Sequence, residues 1–354
     1  MRVRPPPDGT DVLRPAPPAF DLSKTGNEGS VMTSGTEAGT LPATSARPES
    51  KLRSYARLGK LDVFDYYLSF LVVLSALAFP VLRLDNRTIA MLVLFLLGAI
   101  STIVALVAFD DLTGFRDGSD LRNYGPDDPT RKKLRKPLVA GTLTQGEALW
   151  FGWITAGVGA VLWAAAVAVA PHRPTWTIVV VVVTYVFALQ YSYGLKLSYH
   201  GFQEVFLVAL GASLVLSPFG LATGEFSWFL LVQSVLFGLG VLMFGVYSNT
   251  NDIEGDRSVG RPTVASLVSP RGNAVFIGAL SASEYVIALA ASLAGVAPWW
   301  FAVLMLPAAA LRTRQFLLGF RYGDIMRARK LGFSVHRTTT ALLVVANVLA
   351  GVLA

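Results

Sequence analysis

Cysteine is absent from all 354 residues, so disulfide frameworks, cysteine-held zinc, iron–sulfur clusters and thiolate nucleophiles are excluded together. Histidine is nearly as scarce. The three present, His172, His200 and His336, lie far apart with no H-x-x-x-H spacing, which argues against a histidine-held metal. Charge is thin as well, at 15% of residues against 53% hydrophobic. The apolar residues are concentrated in runs of about 20 nearly free of charge, the length that crosses roughly 30 Å of hydrocarbon. A soluble globular domain is excluded, and a polytopic membrane protein is expected.

One stretch lacks such runs. Residues 1–50 hold 8 of the 19 prolines among Gly, Ser and Thr, a composition that cannot bury a core, and are expected to form a disordered cytoplasmic tail. No apolar stretch near Met1 has the 7–15 residues of a cleaved signal peptide. Residues 51–354 are then one membrane domain with nine expected spans, at about 64–82, 88–108, 147–170, 175–193, 202–222, 226–247, 273–294, 298–319 and 336–353. The net charge of +7 does not imply nucleic acid, because the basic residues follow the loops. With the N-terminus inside, 22 Lys and Arg from residue 51 onward fall on the cytoplasmic side and only Arg83, Arg87 and Arg173 opposite. That asymmetry places the N-terminus and the long polar loops in the cytoplasm and the C-terminus outside the cell membrane.

An internal echo organises the chain. Lys136-Pro-Leu-Val-Ala140 recurs 125 residues later as Arg261-Pro-Thr-Val-Ala265, each copy following an acidic segment. Four spans separate them, so two pseudo-repeated halves would insert in one orientation and share a membrane face, with a ninth helix left over. The first acidic segment carries Asp110, Asp111, Asp117 and Asp120. On a helix, Asp110 and Asp117 share a face, and Asp117 neighbours Asp120. In the second, Asn249, Asp252 and Asp256 fall at i, i+3 and i+7, one stripe continuing from a membrane helix. A lone acidic pair is usually a solvated loop charge. Two stripes at equivalent places, each followed by a basic residue and Pro, point instead to oxygen-liganded Mg²⁺ bridging a diphosphate. Lys136, Arg257 and Arg261 lie immediately beside them as cationic donors, with Arg122 close by, whereas Arg131 to Arg135 read as topology signals.

These motifs resemble the UbiA superfamily of intramembrane prenyltransferases over about 60–354. Asn251-Asp-Ile-Glu-Gly-Asp-Arg257 with Gly260-Arg-Pro-Thr263 is similar to the second motif of the 1,4-dihydroxy-2-naphthoate and homogentisate branches, and Tyr191 to Glu204 resembles their linker between the fourth and fifth helices. The first motif departs. Aligned through Gly118-Ser-Asp120, the family's first Asn becomes Asp110, its first Asp is kept as Asp111, and its second falls on Gly114; Asp117, one turn on, is the expected replacement.

The resemblance implies an all-α bundle of about nine helices around a central cavity, with Mg²⁺ on the two acidic motifs. The ligand set is then Asp110, Asp111, Asp117, Asp120, Asn249, Asp252 and Asp256, and the diphosphate falls to Lys136, Arg257, Arg261 and Arg122. It further implies a prenyl diphosphate whose chain lies in an apolar tunnel open to the lipid bilayer, and an aromatic small-molecule acceptor. Tyr191 and Tyr193 are candidates for shielding an allylic cation, with Tyr247 as a further aromatic face, whereas Tyr199 reads as an interfacial belt residue. Lys196 either reaches phosphate or snorkels to the interface. The alternative is a UbiA-type terpene cyclase, in which the substrate's own double bonds capture the cation. A transporter is disfavoured by spans almost free of carboxylates.

Overall fold

A computed structural model describes residues 50–60, 65–79, 84–124 and 135–353. The expected tail, apart from Ser50, and the basic run from Arg131 to Lys133 lie outside the described residues. Every regular element among the described residues is helical. In chain order they are α1 (Lys51–Leu58), α2 (Ser69–Ala78), α3 (Asn86–Arg116), α4 (Ser119–Asn123), α5 (Gln145–Val169), α6 (Thr175–Leu189) and α7 (Gln203–Thr223). They continue with α8 (Trp228–Asn251), α9 (Ile253–Ser258), α10 (Val264–Leu267), α11 (Pro270–Leu293), α12 (Phe301–Leu304), α13 (Leu306–Phe320) and α14 (Ile325–Leu353).

Six of these (α3, α5, α7, α8, α11 and α14) are long and apolar enough to cross a membrane; α6 and the Asp65–Ala78 segment are shorter apolar helices. The eighth expected span is divided between α12 and α13, which meet at Met305. Their starts follow ordinary capping chemistry. The Asp85 carboxylate accepts from Thr88 N–H at 2.8 Å ahead of α3, and Thr144 and Glu147 form a reciprocal capping box ahead of α5. Apolar side chains remain exposed along the outer faces, including Val161, Val182 and Leu293, which suits a surface that meets lipid.

Two boundaries move in ways that matter. α3 continues eight residues beyond the expected end of the second span, so Asp110 and Asp111 stand on its last turns rather than in a loop. Conversely, the expected continuous stripe Asn249–Asp252–Asp256 is broken at Asp252. That residue ends α8 and precedes α9, and its backbone N–H donates to Asn249 O at 3.1 Å. Each acidic segment thus ends a long apolar helix and passes into a short one, α3 into α4 and α8 into α9. Gly118, at φ 85°, makes the first of these turns, a conformation glycine adopts without a Cβ penalty. The short helices α4 and α9 pack together, with the Asn123 amide against Gly255, so the two acidic segments of the echo meet.

Two buried polar groups of the bundle are paired across helices, as a medium with little water favours. Asn347 of α14 joins α8 and α2, accepting from Gln233 at 2.7 Å and donating to Ser75 at 2.9 Å. Arg312 of α13, 1% exposed, donates to both oxygens of Glu284 on α11, at 2.6 and 2.9 Å. Removing one partner of a buried pair strands the other charge, at a cost of about 3–5 kcal/mol. Glu284→Ala is therefore expected to lower the thermal midpoint of the purified protein by many degrees, with Glu284→Gln in between. A midpoint unchanged in Glu284→Ala would show that the pair does not hold α11 to α13.

Candidate active site

Where α3 and α8 end, the bundle opens into a cavity of about 530 Å³ lined by parts of both acidic segments. Its polar end holds Asp110, Asp120, Asn249, Asp252 and Asp256 together with Lys136 and Arg261. One turn or more deeper along the same helices the lining becomes Leu106, Val107, Val241 and Phe244, joined by Leu207, Tyr66 and Tyr191. A charged mouth over an apolar floor follows directly from long apolar helices that end in carboxylates.

The first acidic segment is wired to lysines. Lys136 Nζ sits between Asp111 Oδ1 (2.7 Å) and Asp120 Oδ2 (2.8 Å), and Lys60 Nζ is 2.9 Å from the same Asp111 oxygen. Asp111 lies behind the cavity wall, 1% exposed, and its other oxygen has no hydrogen-bond partner among the described residues. Asp110 faces the cavity, accepts from Ser192 Oγ at 2.7 Å and lies 3.5 Å from Arg261 Nη2. On the other wall, Asp256 accepts from Thr263 Oγ1 at 3.2 Å, and the Asn249 side-chain nitrogen is buried without a partner among the described residues.

Burial and the neighbouring Asp111 charge push the Asp120 carboxyl up to about 6, against the pull of Lys136. Burial and Asp252 lift Asp256 to about 7 despite Arg261. Burial opposes the charge on Lys136, but Asp111 and Asp120 outweigh it and hold the ammonium well above its usual range. Tyr191 is raised by burial, so its phenol stays protonated and its ring neutral.

The missing carboxylate at Gly114 has a structural counterpart, and it is not Asp117. A Cβ on Gly114 would lie 2.9 Å from the carboxyl carbon of Asp120, closer than such contacts allow. Asp120, delivered by α4, therefore occupies the space a side chain at 114 would take, and only glycine leaves room for it. Asp117 is turned elsewhere. It accepts from the Ser119 N–H at 3.0 Å and from the Tyr199 hydroxyl, whose ring lies under Arg261.

Other expected site residues also lie off the cavity wall. Arg122 is exposed on α4, and Arg257 is exposed with its Nε donating to Ser266 O at 2.9 Å. Tyr193 stacks on Phe109 at 4.7 Å and meets Trp153 edge-on, filling the contact between α3 and α5. Lys196 is exposed beside the Tyr199 ring, and Tyr247 is fully buried against Phe320. Sequence reasoning missed Arg53, Arg57, Lys60, Tyr66 and Arg329, all of which line the cavity. A signal for the first three was present, since Arg53, Arg57 and Lys60 are spaced i, i+4 and i+7, one helix face.

The fold and cavity define a multi-pass helical membrane protein that brings carboxylates and fixed cations together over an apolar floor. The chain belongs to the UbiA prenyltransferase family, whose model matches residues 68–336. Solved structures with the same fold include a digeranylgeranylglyceryl phosphate synthase (16% identity, 84% of this chain and 99% of that one, TM-score 0.56). A UbiA homolog from Aeropyrum pernix K1 aligns over 84% of this chain and 98% of its own (18% identity, TM-score 0.54). A UbiA homolog from Archaeoglobus fulgidus bound to DMAPP and Mg²⁺ aligns over 82% and 99% (13% identity, TM-score 0.54). No curated protein matches the chain by sequence.

Proposed function

We propose that the chain is a Mg²⁺-dependent intramembrane enzyme that ionises an allylic prenyl diphosphate and transfers the prenyl group to an aromatic acceptor. The observation that carries this reading is that two acidic segments and cationic side chains surround the polar end of one cavity above an apolar, aromatic-lined floor. The Archaeoglobus fulgidus homolog with DMAPP and Mg²⁺ supports the choice of ligand.

The residues present fit the metal. All the acidic donors at the cavity are hard carboxylate oxygens, the class Mg²⁺ selects. Among the described residues no three His, Asp or Glu form a ready-made cage, as suits an ion that commonly takes one or two carboxylates and completes its shell with substrate phosphates. Asp110 and Asp120 of the first segment and Asp252 and Asp256 of the second would hold Mg²⁺ ions, one or two carboxylates to each, with Asn249 alongside and Asp111 behind. When bound, the metal supplies Lewis-acid stabilisation of the departing diphosphate. Lys136 and Arg261 add fixed positive charge where negative charge develops as the carbon–oxygen bond breaks. Tyr191, Tyr66 and Phe244 line the floor, where aromatic rings would attract the carbon left electron-poor and apolar surroundings would keep water from capturing it. The positive-inside pattern of the loops supports a polar end that faces the cytoplasm.

Two outcomes follow. Purified protein given prenyl diphosphates of several lengths with Mg²⁺ and a hydroxyaryl carboxylate is expected to yield a prenylated aromatic product by mass spectrometry, and little hydrocarbon without the acceptor. Cyclic terpene at catalytic turnover without any acceptor would replace the transferase reading with a cyclase. The raised carboxyls set the pH response. In metal-free protein Asp120 and Asp256 hold protons that the unfolded chain, near pH 4, has already lost. Stability from these groups is thus lost as pH rises through about 6 to 7. Mg²⁺ competes with those protons, so the rise in thermal midpoint on adding Mg²⁺ is expected to be larger at pH 8 than at pH 6. An increment that shrinks over that range would contradict the assignment.

A further inference from the structure

Helix α1 lies outside the span of the family match, yet it forms part of the cavity wall. Its inner face is anchored: Leu58 is buried with Ala108, Leu112 and Leu138, Tyr55 packs on Phe151 at 5.0 Å, and Lys51 pairs with Glu147 at 2.6 Å. So held, α1 turns Arg53 and Arg57 to the cavity, which Arg135 also lines. Leu58 and Leu138 belong to one buried cluster, which joins α1 to the turn that carries Arg135 and Lys136. The guanidiniums of Arg53 and Arg135 have no hydrogen-bond or ion-pair partner among the described residues, unlike Lys136 and Arg261, which are held by carboxylates.

Charge balance gives these arginines a use. Seven cationic side chains line the cavity against four carboxylates, and adding Asp111 behind the wall makes five. A trianionic diphosphate that brings even one Mg²⁺ carries only one net negative charge, so the lining remains positive after it binds. Arginine is the side chain best suited to grip phosphate or carboxylate oxygens in pairs.

We propose that Arg53 and Arg57 of α1, with Arg135, form an anion-binding subsite that grips phosphate or carboxylate oxygens of a substrate held in the cavity. This rests on the prenyl diphosphate reading for the neighbouring acidic end. Two sources share the chemistry, the terminal phosphate of the prenyl diphosphate and an anionic group on the acceptor. The subsite makes α1 part of substrate binding rather than a topology signal.

The test is equilibrium binding of inorganic pyrophosphate, and separately of a hydroxyaryl carboxylate, to the full-length protein in Mg²⁺. Arg53→Gln/Arg57→Gln is expected to weaken at least one of them by about tenfold, the loss of one or two charge-assisted hydrogen bonds. Loss confined to pyrophosphate identifies the diphosphate as the source, and loss confined to the carboxylate identifies the acceptor. Arg53→Lys/Arg57→Lys should keep part of the affinity. Arg53→Gln alone removes no partnered group and keeps the test readable if the double variant does not fold. Both anions binding the arginine variants within twofold of wild type would overturn the subsite. Pyrophosphate binding by wild type that is lost in Asp252→Asn upholds the underlying reading whatever α1 does, whereas wild type that binds neither anion overturns both.

Discussion

Asp252→Asn and Asp256→Asn are each expected to lower turnover by about two orders of magnitude or more, comparable to removing a main electrostatic stabiliser of a transition state. Both side chains face the cavity beside Asp110 and Arg261. Asparagine keeps the size and, at 256, an oxygen able to accept from Thr263, so the loss falls on charge alone. The fold should hold. The Asp256 carboxyl is already pushed up by burial, so a neutral side chain there costs the metal-free protein no stability. Near-full turnover in either variant, with an unchanged thermal midpoint, would remove the second acidic segment from the metal site.

The second large effect concerns the exchange between Gly114 and Asp120. Gly114→Asp alone is expected to reduce turnover by roughly tenfold or more, because its Cβ would enter the space of the Asp120 carboxylate and a second buried charge would meet the first. Asp120→Gly alone should be as severe, since it leaves Lys136 with one carboxylate fewer and the cavity wall without its acid. The double variant Gly114→Asp/Asp120→Gly restores a carboxylate to the same space from α3 instead of α4. It should recover most of the activity lost in either single change, a coupling expected only of side chains that share one site. Additive losses in the double variant would show that the two positions are not alternatives. Asp117→Asn should have the smaller effect, on the Tyr199 and Ser119 contacts.

The helical class, the membrane spans and the convergence of the two acidic segments were legible because long charge-free runs and a repeated basic-Pro signal need no tertiary information. Asp110, Asp120, Asn249, Asp252, Asp256, Lys136, Arg261 and Tyr191 reach one cavity, as spacing and resemblance together implied. What stayed hidden depends on contacts between distant segments. Seven-residue spacing put Asp117 on the face of Asp110, but α3 ends at Arg116 and the turn at Gly118 swings Asp120, not Asp117, back toward Gly114. Tyr193 looked catalytic from the linker pattern, and only the packing of α3 on α5 shows it committed to Phe109 and Trp153. Arg53, Arg57 and Lys60 were visible as charge, yet charge beside a first span is ordinarily a topology signal. Their role depends on how Leu58 and Tyr55 seat α1.

In the proposed reaction this cavity breaks the bond between an allylic carbon and its diphosphate oxygen. Positional isotope exchange measures that step without any acceptor. A prenyl diphosphate carrying ¹⁸O only in the bridging position is incubated with the protein and Mg²⁺, then recovered and analysed by ³¹P NMR. The label is expected to move into nonbridging positions, through reversible ionisation, with wild type in Mg²⁺ but not in EDTA nor with Asp252→Asn. Label that stays in the bridge with the wild-type protein, while Mg²⁺ and the prenyl diphosphate are shown to be bound and no product forms with or without acceptor, would contradict the proposed reaction.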